Sequence, residues 1–345
     1  MSDFNATFAY NMPRKSIALE SFLNLRREGL PVADVRSEQE FAAGHIPGAQ
    51  NLPLLIDPHR VIVGTAYKQL GREAAIRKGW DLAGPRFGSI YRQATKMASG
   101  GTLLLHCWRG GMRSDLAAWI SGYGDLEVRV LEGGYKAYRQ HVLATLSQAP
   151  SNLQVLGGAT GSGKTQYLQL LRNNGVQVMD LEALANHKGS SFGALGMKPQ
   201  PTQEQFENAL AEVLMGLDPF KPVWVEFESR TIGRLVVPEA LFLAMQQAPM
   251  LELQIDNIER IQRLLQEYAC FPKEVLETAT LRIAKRLGGL KTTQAIAALR
   301  DGNMEAWIQC CLDYYDKTYN YGLANHLGVK EVKQWSWKDL LPKQD

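Results

Sequence analysis

Short apolar runs alternate with longer segments of mixed polarity along the whole chain. In the first half the runs are PVADV, GTLLLHC and EVRVLEGG, each of a length that suits a buried strand. Between and after them, residues 38–43, 113–121 and 135–146 carry helical spacing. Strand–helix alternation of this kind predicts a parallel sheet with crossover helices. The second half repeats the pattern, with LQVLGG, VQVMD, PVWVEFE and MLELQID as buried strands. From Asn257 onward the spacing becomes mostly helical. Between the two sets, LATLSQAPSNLQVLGG passes through Ala-Pro-Ser-Asn, the turn chemistry expected of a boundary. The expectation is two α/β domains, residues 1–148 and 151–345, the second with a helical C-terminal part.

Composition narrows the class without naming a function. A chain of 345 residues is long for one core, and 45% hydrophobic with 21% charged residues is ordinary for a globular protein. The start, MSDFNATFAYNMPRKS, holds no apolar signal core. The most apolar window, RLVVPEALFLAMQQAPMLELQI, is interrupted by two prolines, so no membrane span and a cytoplasmic location are expected. None of the four cysteines forms a C-x-x-C pair, which argues against a zinc site. Net charge is only +3 but uneven: residues 1–150 hold 18 Lys/Arg against 13 Asp/Glu, and residues 260–300 hold eight against three. By itself this falls short of the basic stripe that announces nucleic acid.

Two loops carry chemistry. GGATGSGKT, residues 157–165, places Gly158, Gly163, Lys164 and Thr165 in the spacing G-x-x-x-x-G-K-[ST], with Gly161 between them. Glycines let backbone N–H groups turn inward around a phosphate, the lysine adds a point charge, and the threonine hydroxyl suits Mg²⁺. Strand LQVLGG before it and helix KTQYLQLLRNNG after it are the required context. An acidic partner should end a neighbouring strand, and Glu226, Glu228 and Asp180 are the candidates for holding Mg²⁺ or for acid–base work. Arg260 and Arg263 follow the last strand, where lid arginines contact phosphate in P-loop kinases. Such a loop takes a di- or triphosphate; hydrolysis, group transfer and plain diphosphate binding all remain open.

The second loop is HCWRGGMRS. Cys107 ends an apolar strand, and a glycine turn leads to a helix starting near Arg113. Inward N–H groups, a helix N-terminus, Arg109 and Arg113 all favour a thiolate and can hold an anion on or near the sulfur. Upstream, VADVRSEQEFAAGHIPGAQNLPL, taken with HCWRGGMRS and VLEGGYKAY, resembles the rhodanese family over roughly residues 15–145. Rhodaneses carry sulfur as a cysteine persulfide, and Cys107 matches the acceptor position. One departure matters: common rhodanese loops read C-x-x-G-x-R, whereas here the arginine follows five intervening residues. That longer loop resembles the phosphatase branch, whose cradle holds a tetrahedral phosphate.

CWRGGMRS and GGATGSGKT in one chain, followed by DLEALANHKGSSFG and VWVEFESRTIG, resemble the tRNA 2-selenouridine synthase family over most of the length. The resemblance implies a rhodanese-like domain followed by a P-loop NTPase-like domain. It also implies transfer of a geranyl group from geranyl diphosphate to the sulfur of wobble 2-thiouridine in tRNA, then replacement of S-geranyl by selenium from selenophosphate. Cys107, Arg109 and Arg113 would then handle selenium and its phosphate, and Gly158, Gly161, Gly163, Lys164 and Thr165 the diphosphate. For tRNA the candidates are Arg282, Lys285, Arg286 and Lys291, with the basic first domain as another, and residues 186–193 as a mobile substrate loop. The alternative is an ATP-dependent rhodanese-type tRNA sulfurtransferase. A groove for the prenyl tail is required but has no sequence signature.

Overall fold

The computed structural model describes residues 14–98, 101–124 and 126–334. The chain divides into two compact units, Met1–Ala144 and Thr145–Asp345, with the break inside the helix Gly134–Leu146, a few residues before the Ala-Pro-Ser-Asn turn.

The first unit is a five-stranded sheet: β1 (Arg14–Ile17), β2 (Val32–Asp34), β3 (Gln50–Asn51), β4 (Thr102–His106) and β5 (Glu127–Leu131). Their order is β1-β5-β4-β2-β3, and every pairing is parallel. β2 is buried throughout and β4 is buried from Leu103 to His106, which explains why these strands read as continuous apolar runs. Leu103, Leu105, Val128 and Val130 pack with Ala117, Ala118 and Ile120 from helix Met112–Ser121 and with Ile90 and Ala94 from helix Phe87–Met97. Helix Glu38–Ala43 begins at a capping box in which the Ser37 N–H donates to Glu40 at 3.1 Å. The hydrophobic pattern does not foretell β1 or the two-residue β3. Nor does it foretell the helices Asp57–Ala83 and Phe87–Met97 inserted between β3 and β4. The first of these breaks at Gly71, whose φ of +86° no helix accommodates.

The second unit contains β6 (Leu153–Gly158), β7 (Gln177–Met179), β8 (Val223–Glu226), β9 (Thr231–Ile232), β10 (Leu235–Val236), β11 (Met250–Gln254) and β12 (Lys330–Gln334). Five of them form a parallel sheet in the order β12-β11-β6-β8-β7, and β9 with β10 makes a small antiparallel ribbon. Four sheet strands are those the apolar runs predict. The fifth, β12, returns after the helices, and all five of its residues are exposed, so it carries no apolar signal. Helices Asn257–Tyr268, Lys273–Arg282, Gly289–Arg300 and Met304–Ala324 build a separate core around Leu276, Trp307, Ile308 and Cys311. There the Trp307 indole N–H donates to the Thr280 hydroxyl at 3.0 Å, so a buried polar pair is satisfied. Among the described residues no helix is long and apolar enough to cross a membrane.

Candidate functional site

Each unit presents a glycine turn between a central strand and the helix that follows it. In the second unit the turn joins β6 to helix Lys164–Asn173. Gly158, Gly161 and Gly163 take φ values of +146°, +82° and +87°, which a residue with a Cβ rarely adopts. At Gly161 a Cβ would also press on Leu264 at 3.2 Å. The Lys164 ammonium donates to the Gly158 carbonyl at 2.9 Å, so its charge lies over the turn. Arg260, expected to reach for phosphate, instead holds the turn from behind. Buried, it donates to Thr160 O at 2.9 Å and to both oxygens of Asp316 at 3.0 and 2.5 Å. Arg263 does face the cleft.

Three carboxylates gather beside the turn. One oxygen each of Glu182, Glu226 and Glu228 lie within 4.8 Å of one another. Glu226 is 0% exposed, and among the described residues its carboxylate oxygens lack a well-formed hydrogen bond, with only the Thr165 hydroxyl near enough to favour the charged form. Burial, with the Glu182 charge adding to it and Lys164 opposing, pushes Glu226 up to about 8. Burial and the Glu228 charge push Glu182 up to about 8 as well, and burial with Glu226 pushes Glu228 up to about 7. β8 ends at Glu226, so Glu228 lies two residues past the strand and joins Glu226 through the loop that follows rather than through strand alternation. Asp180 does not join the trio: it caps helix Leu181–Ala185 by accepting the Ala183 N–H at 2.9 Å, and Arg172 lies 3.7 Å away. Glu182, which no spacing rule singles out, takes that place.

The turn and the acids open into a cleft of about 1360 Å³. Phe227, Phe242, Tyr319 and Gly322 line part of it, and Arg282, Arg286, Tyr314 and Tyr315 line another part. Of the four basic residues expected on this face, Arg282 and Arg286 therefore reach the cleft. Lys285 lies on exposed surface, and Lys291 pairs with Asp313. The segment 186–193 supplies cleft wall through His187, Lys188, Gly189, Ser190 and Ser191. It is anchored rather than loose: Phe192 is buried in the helical core, Lys188 pairs with Glu267, and the Ser191 N–H donates to the Tyr315 hydroxyl at 3.2 Å.

In the first unit Cys107 follows β4 directly and is 3% exposed. Its loop is pinned by backbone bonds to the Gly-Gly turn of VLEGGYKAY: Tyr135 N–H donates to Cys107 O at 2.8 Å and Lys136 N–H to Trp108 O at 2.9 Å. Gly134, at φ +59°, lies so close that a Cβ there would strike Cys107 O and sit 2.6 Å from Gly110 N. Below the loop, Arg36 spans Asp34 at 2.6 Å and Gly44 O at 2.6 Å and stacks 3.8 Å over the Tyr135 ring. Burial would raise the Asp34 carboxyl, but His106 and Arg36 outweigh it and hold it below the ordinary range. The two loop arginines differ. Arg109 is exposed, whereas Arg113 is half-buried and pairs with Glu40 at 2.7 Å.

The arrangement offers two anion cradles, one with a cysteine sulfur and one beside an acid trio. The rhodanese-like domain family matches residues 19–141, and the AAA domain of tRNA 2-selenouridine synthase matches residues 151–336. A tRNA 2-selenouridine synthase from Shewanella denitrificans (strain OS217) is 37% identical over 352 residues, covering 91% of this chain and 94% of its own. That of Shewanella piezotolerans is 37% identical, covering 90% of this chain and 93% of its own. That of Psychromonas ingrahamii is 36% identical, with 88% and 93% covered.

Proposed function

Because the chain belongs to the tRNA 2-selenouridine synthase family, we propose that it is a tRNA-modifying transferase acting on wobble 2-thiouridine. It transfers a geranyl group from geranyl diphosphate to the sulfur, then exchanges the S-geranyl group for selenium from selenophosphate. The observation that carries this reading is the size and make-up of the cleft at the P-loop. At about 1360 Å³ it exceeds the ~300–1,000 Å³ of a usual small-molecule pocket, and its walls are phosphate-binding, aromatic and basic in turn. A prenyl diphosphate and a nucleotide base meeting there would use all three.

In the first step the turn amides, Lys164 and Thr165 bind the diphosphate and stabilise the charge that grows on it as its bond to the geranyl carbon breaks. Phe227, Phe242 and Tyr319 offer an apolar wall for the chain, and Tyr314, Tyr315, Arg282 and Arg286 offer stacking and charge for the base and its phosphate. A cluster of three carboxylates, one buried without a well-formed hydrogen bond, is a donor set that fits Mg²⁺. Glu182, Glu226 and Glu228 with Thr165 would hold it, and it would neutralise the departing diphosphate.

In the second step the selenium of selenophosphate forms the new bond to C2 of the base while the carbon–sulfur bond breaks and geranyl thiolate leaves, and water then cleaves the selenium–phosphorus bond to release phosphate. Cys107 directs the selenium donor, the loop amides and Arg109 hold its phosphate, and Arg113 contributes from its pair with Glu40.

The test is incubation with 2-thiouridine tRNA, geranyl diphosphate and selenophosphate, followed by mass spectrometry of the digested nucleosides. S-geranyl-2-thiouridine should appear first and 2-selenouridine after it. If neither appears, and tRNA lacking the 2-thio group instead gains sulfur when ATP and a sulfur donor are supplied, the reading fails in favour of a sulfurtransferase.

A further inference from the structure

The uneven charge of the first unit has a single source. Residues 57–97 carry eight Lys/Arg against three Asp/Glu, while the rest of residues 1–150 balances at ten against ten. These residues are the two helices inserted between β3 and β4, so the whole positive excess of the first half belongs to one helical arm.

The charge is displayed rather than used. Lys68, Arg72, Lys78, Arg92 and Lys96 are exposed, and none of them forms an ion pair among the described residues. Of the three acids, Asp57 accepts the Gln39 N–H, and Glu73 is paired with Arg77. Large rings lie open among the cations, with Tyr67 60% and Trp80 50% exposed. Packing accounts for one side of the arm only. In helix Asp57–Ala83 Val63, Leu82 and Ala83 pack on the first unit's core, while Val61, Ile62, Tyr67, Leu70 and Trp80 stand exposed on both sides of the break at Gly71.

Displayed cations interleaved with open aromatic rings are the surface that a polyanion of stacked bases recognises. Val61, Ile62 and Leu70 are exposed there as well, but an interface for another protein chain would deplete lysine, whereas Lys68, Lys78 and Lys96 all stand exposed on the arm. We propose that the helical arm of residues 57–97 is a tRNA-docking surface. It grips the phosphate backbone outside either cradle and stacks rings on unpaired bases. This assignment rests on the reading of the chain as a tRNA-modifying enzyme, but it concerns where the RNA body is held and not the chemistry.

The full-length chain and unmodified tRNA suffice for the test, with binding followed by fluorescence anisotropy across a KCl series. The variant is Lys68→Ala/Arg72→Ala/Lys78→Ala, all at exposed positions, with a thermal melt to establish that the fold is intact. Binding should weaken by about tenfold or more, and the log–log salt slope should become shallower by about 2–3, since each lost phosphate contact removes roughly 0.7–0.9. Restoring charge with Lys68→Arg/Lys78→Arg in an otherwise native chain should keep both values. Tyr67→Ala should weaken binding with the slope unchanged. If the triple variant binds with native affinity and slope while the wild type binds tightly, the arm assignment is overturned and the functional reading stands. Failure of the wild type to bind tRNA at all would sink both. A change confined to self-association in sedimentation, with tRNA affinity intact, overturns the proposal in favour of a protein interface.

Discussion

The Glu40 carboxylate meets the Arg113 guanidinium at 2.7 Å across 73 residues of chain, so one arginine of the cysteine loop is already held by the first unit's capping-box glutamate. Glu40 thereby serves helix Glu38–Ala43 and the loop at once. Burial would raise its pKa, but the hydrogen bond and charge of Arg113 outweigh burial and hold it below the usual carboxylate range.

Glu40→Ala should therefore cost about 1–2 kcal/mol in denaturant melts near neutral pH, from a lost cap and a half-buried pair together. A carboxylate lowered by folding stabilises fully above its unfolded pKa near 4.5 and loses that contribution as pH falls through the lower folded value. The gap between wild type and variant should close in acid. Selenium incorporation should drop as Arg113 loses its bearing, with S-geranylation unchanged; a variant that melts and turns over like the wild type would remove Glu40 from this role.

The two cradles should separate by mutation. Cys107→Ala is expected to abolish 2-selenouridine and let S-geranyl-2-thiouridine accumulate, because the cysteine belongs to the first unit and the diphosphate site to the second. Lys164→Ala should suppress S-geranylation, by about 10²-fold or more if the ammonium stabilises the departing charge. Nucleoside mass spectrometry reads both, and full activity of Cys107→Ala in the second step would refute the assignment of that loop.

Folding raises Glu226, so the folded chain keeps a proton that the unfolded chain has lost between pH 4.5 and about 8. Stability then declines as pH climbs through that window. Glu226→Gln should flatten the decline and raise stability at pH 8 by roughly 1–3 kcal/mol in the absence of divalent cations. Added Mg²⁺ should raise the wild-type melting temperature more at pH 8 than at pH 6 and should leave the glutamine variant unmoved. An equal Mg²⁺ response in both proteins would exclude Glu226 as a ligand.

Gly134 and Gly29 test backbone approach against backbone angle. Both have positive φ, but a Cβ at Gly29 meets open space, whereas one at Gly134 strikes Cys107 O. Gly29→Ala should cost only the left-handed penalty of about 1–2 kcal/mol and leave activity intact. Gly134→Ala should cost at least about 2 kcal/mol more and suppress selenium incorporation specifically, since it pushes on the cysteine loop. Similar losses in the two variants, by urea melts and nucleoside analysis, would contradict this view of the Gly-Gly turn.

Local chemistry made much of the protein legible in advance. Buried parallel strands carry largely apolar runs, so β2, β4, β5, β6, β7, β8 and β11 announce themselves. Glycine turns that bring amides to a phosphate need their residues in sequence, so both cradles could be read from nine-residue stretches. Nothing local could reveal the rest. β12 is an exposed edge strand and has no apolar face to mark it. Glu182 joins Glu226 and Glu228 only because β7 pairs with β8, and Asp180, two residues before Glu182, is taken by a helix cap. Arg260 was expected at phosphate but is bound by Asp316 from a helix 56 residues on. Sequence order thus determined which turns could hold anions, because those turns are built from neighbours. Which charges stand beside them, and which of their arginines remain open, depends on side chains brought together from distant segments, and that was decided only when the sheets closed.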